Sequence, residues 1–66
     1  MPVYAHVLLP LSLAETYTYE VPPHLLQTIG PGKRVEVQFG QKRIYAGIVK
    51  NVFEDKRKEI NLNPIT

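Results

Sequence analysis

The sequence has no cysteine among its 66 residues and only two histidines, His6 and His24. Without cysteine, disulfide bonds and thiolate metal sites are excluded, and two histidines are too few for a histidine-based zinc site unless carboxylates assist. His6 lies in an apolar strand pattern that is typical of a hydrogen-bonded, half-buried histidine, and His24 is expected at the surface. The sequence therefore predicts a domain without disulfides or a bound metal.

A long apolar run is also missing. Residues 3–14 are mostly apolar, but Pro10 interrupts them, no cationic region precedes them, and they are too few to span a bilayer as a helix. This run fits a core strand better, so no membrane attachment is expected. The absence of a secretion signal and of cysteine fits a cytoplasmic location.

Residues that could carry catalysis do not form a recognisable arrangement. Three of the six acidic residues lie in the charged run 54–59, which is typical of a solvated loop. No serine, histidine and acid fall into a nucleophile motif. Residues 30–34, Gly-Pro-Gly-Lys-Arg, lack the Ser/Thr that follows the lysine of a phosphate loop and the glycine that begins one. We therefore predict that this chain is not an enzyme.

Alternation of apolar and polar residues predicts short strands over 3–9, 16–21, 34–39, 43–53 and 60–65. Both faces of the first strand are largely apolar, which predicts a central position in the sheet. In the fourth strand, Gly47 indicates a bulge, or a close approach by another backbone or a ligand. Pro64 restricts the last strand to an edge of the sheet.

Prolines and glycines predict the turns between these strands. Pro22-Pro23 is typical of a helix start, and the pattern predicts a short helix over 23–29 that ends at a C-cap Gly30 and turns three side chains inward, Leu25, Leu26 and Ile29. Pro31-Gly32 fits a type II turn, and residues 40–42 fit a tight hairpin loop. We predict an all-β fold: a small five-stranded twisted barrel of the OB or SH3-like kind with one short helix.

Cationic and aromatic residues are interleaved along the predicted strands. The cations are Lys33, Arg34, Lys42, Arg43 and Lys50, and the aromatic residues among them are Tyr17, Tyr19, Phe39 and Tyr45. A net charge of +2 permits an anionic partner. Cations bind phosphates and ring faces stack on bases, as single-stranded nucleic acid requires, but rings in a small barrel also form its core. These residues alone favour neither nucleic-acid binding nor a protein–protein adaptor.

Five segments, in order from the amino terminus, carry a family resemblance. They are Met1-Pro2-Val3 with Ala5-His6-Val7 and Leu9-Pro10, Thr16-Tyr17-Thr18-Tyr19 with Pro22, the block Gly32-Lys33-Arg34-Val35-Glu36-Val37-Gln38-Phe39-Gly40, then Gly47-Ile48-Val49, and finally Leu62-Asn63-Pro64-Ile65. The long block is similar to a Gly-x-Arg-Val-x-Val-Pro-Phe-Gly pattern, with Gln38 in place of the proline. Together the segments resemble the amino-terminal domain of the PriA family of primosomal replication-restart helicases, known as primosomal protein N′.

The resemblance implies a function for residues 1–66 as one DNA-binding domain. In this family the domain captures the 3′ end of the leading strand at an abandoned replication fork. The ATP-dependent 3′-to-5′ helicase and its zinc-binding segment lie downstream, so ATP and zinc are expected in a longer parent protein and no cofactor in this chain. The implied partners are DNA with a free 3′ end, forked DNA, the downstream helicase domains and primosome proteins.

The resemblance also implies a pocket for the terminal nucleotide, formed by Tyr17, Thr18, Gly40 and Asn63. Thr18 stands where the family often has aspartate, but its hydroxyl can still form hydrogen bonds. Asn63 stands where the family often has lysine and keeps a donor without the charge. Three cations are expected to contact the DNA phosphates: Lys33, Lys42 and Arg43.

A second interpretation is a protein-interaction barrel that docks on its own helicase core or on a partner, since edge strands and aromatic residues also serve that role. Salt separates the two interpretations, because DNA binding weakens steeply as the salt concentration rises and apolar docking does not.

Overall fold

The computed structural model describes residues 2–11, 15–56 and 63–66, and in this part of the chain four strands carry most of the regular structure. The strands are β1 (Val3–Leu8), β2 (Thr16–Glu20), β3 (Arg34–Phe39) and β4 (Arg43–Glu54). A short 3₁₀ helix, Pro23–Leu25, lies between β2 and β3. The all-β class and the positions of the first four predicted strands are therefore confirmed.

The four strands form one antiparallel sheet in the order β2-β1-β4-β3. The central position predicted for β1 is confirmed, because β1 pairs with both β2 and β4. The closed five-stranded barrel is not what the described residues form. Residues 60–62 of the predicted fifth strand lie outside the described part, and beyond them Pro64 and Ile65 make only isolated bridges, to Glu20 and Val37.

The sheet curls, so that its two edge strands approach each other. The hydroxyl of Tyr19 in β2 donates a hydrogen bond to the backbone carbonyl of Gln38 in β3, at 3.2 Å. Residues 63–66 lie along both edges: the Glu20 backbone N–H donates to the Asn63 carbonyl at 3.0 Å, and the Thr66 N–H donates to the Glu36 carbonyl at 2.9 Å. The curl therefore brings together residues that are far apart in the sequence.

The core lies on the concave face of this sheet. Its buried members come from all four strands, from the residues directly after β1 and β2 and from the carboxy-terminal residues; they are Ala5, Val7, Leu9, Tyr19, Val21, Val37, Val49 and Ile65. In β3 the apolar side chains face this core and the polar ones are exposed, as the alternation predicted.

Gly47 is a point of close approach between β4 and β1. A Cβ atom at this position would lie 2.5 Å from Val7 Cγ1 and 3.0 Å from the Leu8 carbonyl oxygen. The close approach predicted for Gly47 is therefore correct. The bulge is elsewhere: the register between β1 and β4 shifts after His6, and Lys50 is the extra residue in β4.

The predicted helix over 23–29 is shorter than expected. After the 3₁₀ helix the chain makes a turn, in which the Ile29 N–H donates to the Leu25 carbonyl at 2.9 Å. Leu25 and Ile29 pack against the core, but Leu26 is 46% exposed. The 3₁₀ helix ends at Leu25, so Leu26 does not lie on the inward face of a longer α-helix as predicted. The C-cap role of Gly30 is also wrong, since the glycines with positive φ are Gly32 and Gly40.

The type II turn over 30–33 is confirmed. Gly32 has a φ of +86°, which this turn type requires at its third position. The Lys33 N–H donates to the Gly30 carbonyl at 3.1 Å and closes the turn.

Candidate functional site

An open groove of about 440 Å³ lies where β2, the end of β3 and Asn63 meet. It is lined by Thr16, Tyr17, Thr18, Tyr19, Gln38, Phe39, Gly40 and Asn63. The structure thus brings together the four residues predicted for the pocket, Tyr17, Thr18, Gly40 and Asn63. They come from three separate parts of the chain and meet because the sheet curls.

Tyr17 lies on the concave face and is half-buried. Its ring contacts the ring of Phe39 edge to face, with centroids 4.9 Å apart and planes at 69°. The Phe39 ring in turn contacts that of Tyr45 at 6.1 Å and 71°. These three rings, which we call the aromatic cluster, pack against the core, and two of them, Tyr17 and Phe39, also line the groove.

Gly40 begins the hairpin loop between β3 and β4. Its φ of +76° lies in the left-handed region, and apart from its two chain neighbours no described residue has an atom within 4 Å of the position that a Cβ would take. The loop is closed by a hydrogen bond from Gln38 Nε2 to the Gln41 carbonyl, at 3.1 Å. The backbone at Gly40 is therefore exposed at the groove and free of side-chain cover.

Thr18 and Asn63 are two of the polar residues that line the groove. Thr18 is half-buried and lies opposite His6 in the register between β1 and β2. Asn63 is exposed, and its carbonyl accepts the hydrogen bond from the Glu20 N–H that holds the carboxy-terminal segment beside β2. Hydroxyl and amide groups here can donate to or accept from a polar ligand.

Cations lie beside the groove at the hairpin. Both are exposed: Lys42 is the last residue of the loop that begins at Gly40, and Arg43 is the first residue of β4. A hydrogen bond with Tyr45 raises the pKa of Arg43, and the Coulomb interaction with the same tyrosine adds to this effect, so its guanidinium stays charged. This end of the domain therefore carries positive charge next to aromatic rings.

The structure does not bring Lys33 to the groove. Lys33 precedes β3, whereas Gly40 follows it, so at about 3.3 Å per residue the two lie roughly 20 Å apart. Lys33 and Arg34 line a separate cavity of about 240 Å³ together with Leu25, Thr28, Ile29 and Val35. A phosphate contact by Lys33 would belong to a different part of a nucleic acid.

Sequence reasoning did not assign Thr16, Tyr19, Gln38 or Phe39 to the groove. Tyr19 is only 4% exposed and donates to the Gln38 carbonyl, so it forms a wall of the groove. Burial raises the pKa of Tyr19, and the neighbouring Tyr17 adds to the effect. The signal for Tyr19 was its place two residues after Tyr17, since alternate residues of a strand share a face.

Both histidines lie where the sequence predicted them. His6 is half-buried, its Nδ1 lies 2.9 Å from Asn51 Oδ1, and its ring contacts that of Phe53 at 4.6 Å. His24 is exposed in the 3₁₀ helix.

Among residues 2–11, 15–56 and 63–66, no three His, Cys, Asp or Glu side chains come together as ligands for a metal ion. In the same part of the chain, no helix has the length and apolar character needed to cross a membrane.

The family model for the 3′ DNA-binding domain (3′BD) of PriA matches residues 6–66. The chain belongs to this family. The PriA 3′ DNA-binding domain binds DNA at a 3′ end, and the resemblance seen in the sequence is confirmed. Comparison with curated proteins found no match, and comparison with solved structures found none either.

Proposed function

We propose that this domain captures the 3′-terminal nucleotide of the leading strand at a stalled replication fork, and that it does so in the groove. The observation that carries the proposal is the convergence of Tyr17, Thr18, Gly40 and Asn63 on one open surface. Family membership supports binding at a 3′ end, and the convergence supports this groove as the place where the end enters.

Tyr17 provides the stacking surface for the terminal base. Its ring is anchored by the edge-to-face contact with Phe39, so little side-chain entropy is lost when a base stacks on its exposed part. Stacking on aromatic rings tolerates every base, because each base has a π-face. The domain is therefore expected to capture a 3′ end whatever base stands at that end.

Gly40 and Thr18 recognise the terminal sugar and its hydroxyl. The exposed backbone at Gly40 lets the sugar approach closely, and the Thr18 hydroxyl can donate to or accept from the base or the free 3′-OH. A terminal phosphate would crowd this site and leave its polar groups poorly paired, which costs free energy. We therefore expect a preference for 3′-OH over 3′-phosphate.

Asn63, Lys42 and Arg43 hold the phosphates that precede the terminal nucleotide. Asn63 lines the groove, and the two cations lie at the hairpin beside it. Lys33 lies at the far end of β3, so its phosphate contact would involve another arm of a forked DNA.

The proposed biological setting follows from the family. The domain would be part of a longer cytoplasmic protein whose downstream helicase domains use ATP and hold zinc, and end capture would position that helicase for replication restart. Its proposed partners are forked DNA, the helicase domains of the same protein and primosome proteins.

The test is a fluorescence anisotropy titration of the 66-residue chain. The ligands are one oligonucleotide with a 3′-OH, the same oligonucleotide with a 3′-phosphate, and a circular single strand of equal length. We expect the 3′-OH form to bind about tenfold more tightly than either control, which corresponds to about 1.4 kcal/mol. Equal affinity for the circular strand would rule out end capture. Forks with and without a leading-strand 3′ end at the junction then test the biological setting.

One observation favours a second function, docking on the helicase core or on a partner protein. Leu8, Ile44 and Ile48 are 43%, 62% and 45% exposed, and Leu8 lies opposite Ile48 in the register of β1 and β4. Exposed apolar side chains that adjoin each other are typical of an interaction surface. Binding through them would change little with salt concentration, whereas binding to DNA phosphates would weaken steeply.

A further inference from the structure

The aromatic cluster extends beyond the groove. Tyr45 lies in β4, outside the groove lining, and its ring contacts Phe39, which lines the groove. Tyr45 is half-buried, so part of this residue faces solvent. Arg43 is exposed and lies two residues before Tyr45 in β4, so the two side chains share one face of the strand and a cation lies beside this ring.

We propose that Tyr45 and Arg43 form a second subsite, for the nucleotide that precedes the terminal one. Its base or sugar packs on the Tyr45 ring, and Arg43 binds its 5′-phosphate. The proposal rests on the proposed function, because the terminal nucleotide on Tyr17 sets the position of the strand.

Phe39 connects the two proposed base positions. Its ring contacts that of Tyr17 at a centroid distance of 4.9 Å and that of Tyr45 at 6.1 Å. Because Phe39 meets Tyr45 edge to face, at least one face of Tyr45 is clear of Phe39. A bound DNA strand that runs from Tyr17 past Phe39 therefore reaches the Tyr45 ring next.

The position of Arg43 on the same face of β4 as Tyr45 favours a phosphate near this ring. A guanidinium binds phosphate through parallel N–H donors, and its planar group can also stack on an aromatic face. Lys42, the neighbouring cation, is a point charge on a flexible stem. We therefore assign the penultimate phosphate to Arg43.

The test compares an oligonucleotide that has a normal penultimate nucleotide with one that is abasic there, both with a free 3′-OH. For the parent chain, the abasic position should weaken binding about fivefold or more, as the loss of one stacked base does. Tyr45→Leu keeps an apolar side chain in the core but has no ring, so it should bind the normal oligonucleotide less tightly and lose nothing more with the abasic one. Lys50→Gln, at the other end of β4, should behave like the parent.

Arg43→Gln provides a second variant at an exposed position. It should weaken binding when the penultimate 5′-phosphate is normal, and should have no effect when that phosphate is a neutral methylphosphonate. The second subsite is overturned if Tyr45→Leu keeps the full abasic loss, or if Arg43→Gln weakens both ligands equally. Should Tyr45→Leu fail to fold, the Arg43→Gln comparison decides alone. A circular single strand separates this failure from that of the proposed function, because end capture fails only if the parent chain binds the circle as tightly as the 3′ end.

Discussion

The rings of Tyr17 and Phe39 contact each other edge to face at a centroid distance of 4.9 Å, although they belong to the two opposite edge strands of the sheet. The contact closes one end of the core and at the same time forms one side of the groove. A structural and a ligand-binding role for Tyr17 are therefore compatible. A substitution that keeps an apolar side chain of similar size but removes the ring can distinguish the two roles.

Tyr17→Leu should weaken 3′-end binding without unfolding the domain. Leucine retains apolar contact with Phe39, but it cannot stack on a base, and loss of one stacked base costs about 1–3 kcal/mol. Tyr17→Ala should lose stability as well, because it leaves space beside Phe39. Thermal melts recorded beside anisotropy titrations measure both effects. If Tyr17→Leu is well folded and binds 3′ ends like the parent, Tyr17 is only a core residue.

The stability of the domain should fall at alkaline pH partly because of Tyr19. Burial raises the pKa of Tyr19 above its ordinary value of 10.0, so the folded state favours the neutral phenol that donates to the Gln38 carbonyl. The contribution of the neutral Tyr19 phenol to stability is complete below the pKa that Tyr19 has in the unfolded state. It is lost as the pH rises through the higher pKa of the folded state.

Tyr19→Phe should remove that part of the alkaline loss. At neutral pH it should cost about 1 kcal/mol, since one hydrogen bond is lost. Urea denaturation at about pH 7 and about pH 11, on either side of the tyrosine pKa, measures the difference. An identical alkaline loss in parent and variant would show that Tyr19 does not titrate in this way.

Local patterns predicted the elements of this fold better than its closure. The bounds of β3 follow directly from the alternation in residues 34–39, because one face is apolar and the other polar. The extra residue at Lys50 could not be predicted from the alternation within β4, because a one-residue shift of register depends on how β4 pairs with β1. The exposure of Leu26 was missed because a helical period was assumed where the chain forms a single 3₁₀ turn and a loop.

Gly47→Ala should destabilise the domain by roughly 1–3 kcal/mol, because the added methyl group overpacks the contact with Val7 and the Leu8 backbone. Gly30→Ala is the matched control. A Cβ at Gly30 meets no described atom within 4 Å and its φ is not positive, so this change should be neutral or slightly stabilising. Denaturant unfolding of both variants checks the prediction; equal stabilities would contradict the close approach at Gly47.

The candidate site was predictable only in part, and the reason is geometric. Tyr17 and Gly40 were assigned from the family pattern, and their convergence depends on the curl of the sheet, which no local pattern encodes. Lys33 was assigned to phosphate contact by charge alone. The full length of β3 separates Lys33 from Gly40, so Lys33 lies away from the groove, and its phosphate contact stays a prediction.

Asn63→Lys should strengthen binding to 3′-ended strands. Asn63 lines the groove and is exposed, so a lysine there can reach a phosphate without burying its charge. One added phosphate contact on a single strand should steepen the dependence of log K on log salt by about 0.7. Titrations at several salt concentrations measure the slope. Asn63→Gln is the control, and a lysine variant with the same slope as Asn63→Gln contradicts a phosphate at this position.

Gly40→Asn and Gly32→Asn form a matched pair that separates backbone strain from ligand contact. Gly40 has a φ of +76° and Gly32 of +86°, and at neither would a Cβ meet a described atom within 4 Å. Asparagine tolerates the left-handed region better than other side chains, so each change should cost only about 1 kcal/mol of stability. Only Gly40 lines the groove, whereas Gly32 lies in the turn before β3.

Gly40→Asn should therefore weaken binding of a 3′-OH oligonucleotide about tenfold, or about 1.4 kcal/mol, and abolish its preference over a circular strand. Gly32→Asn should melt at a similar temperature and bind like the parent. The physical reason is that the new side chain at Gly40 occupies the space through which the terminal sugar approaches the backbone. If both variants bind 3′ ends like the parent, Gly40 serves the hairpin alone. If both lose affinity equally, the loss comes from backbone strain, and the terminal nucleotide does not contact Gly40.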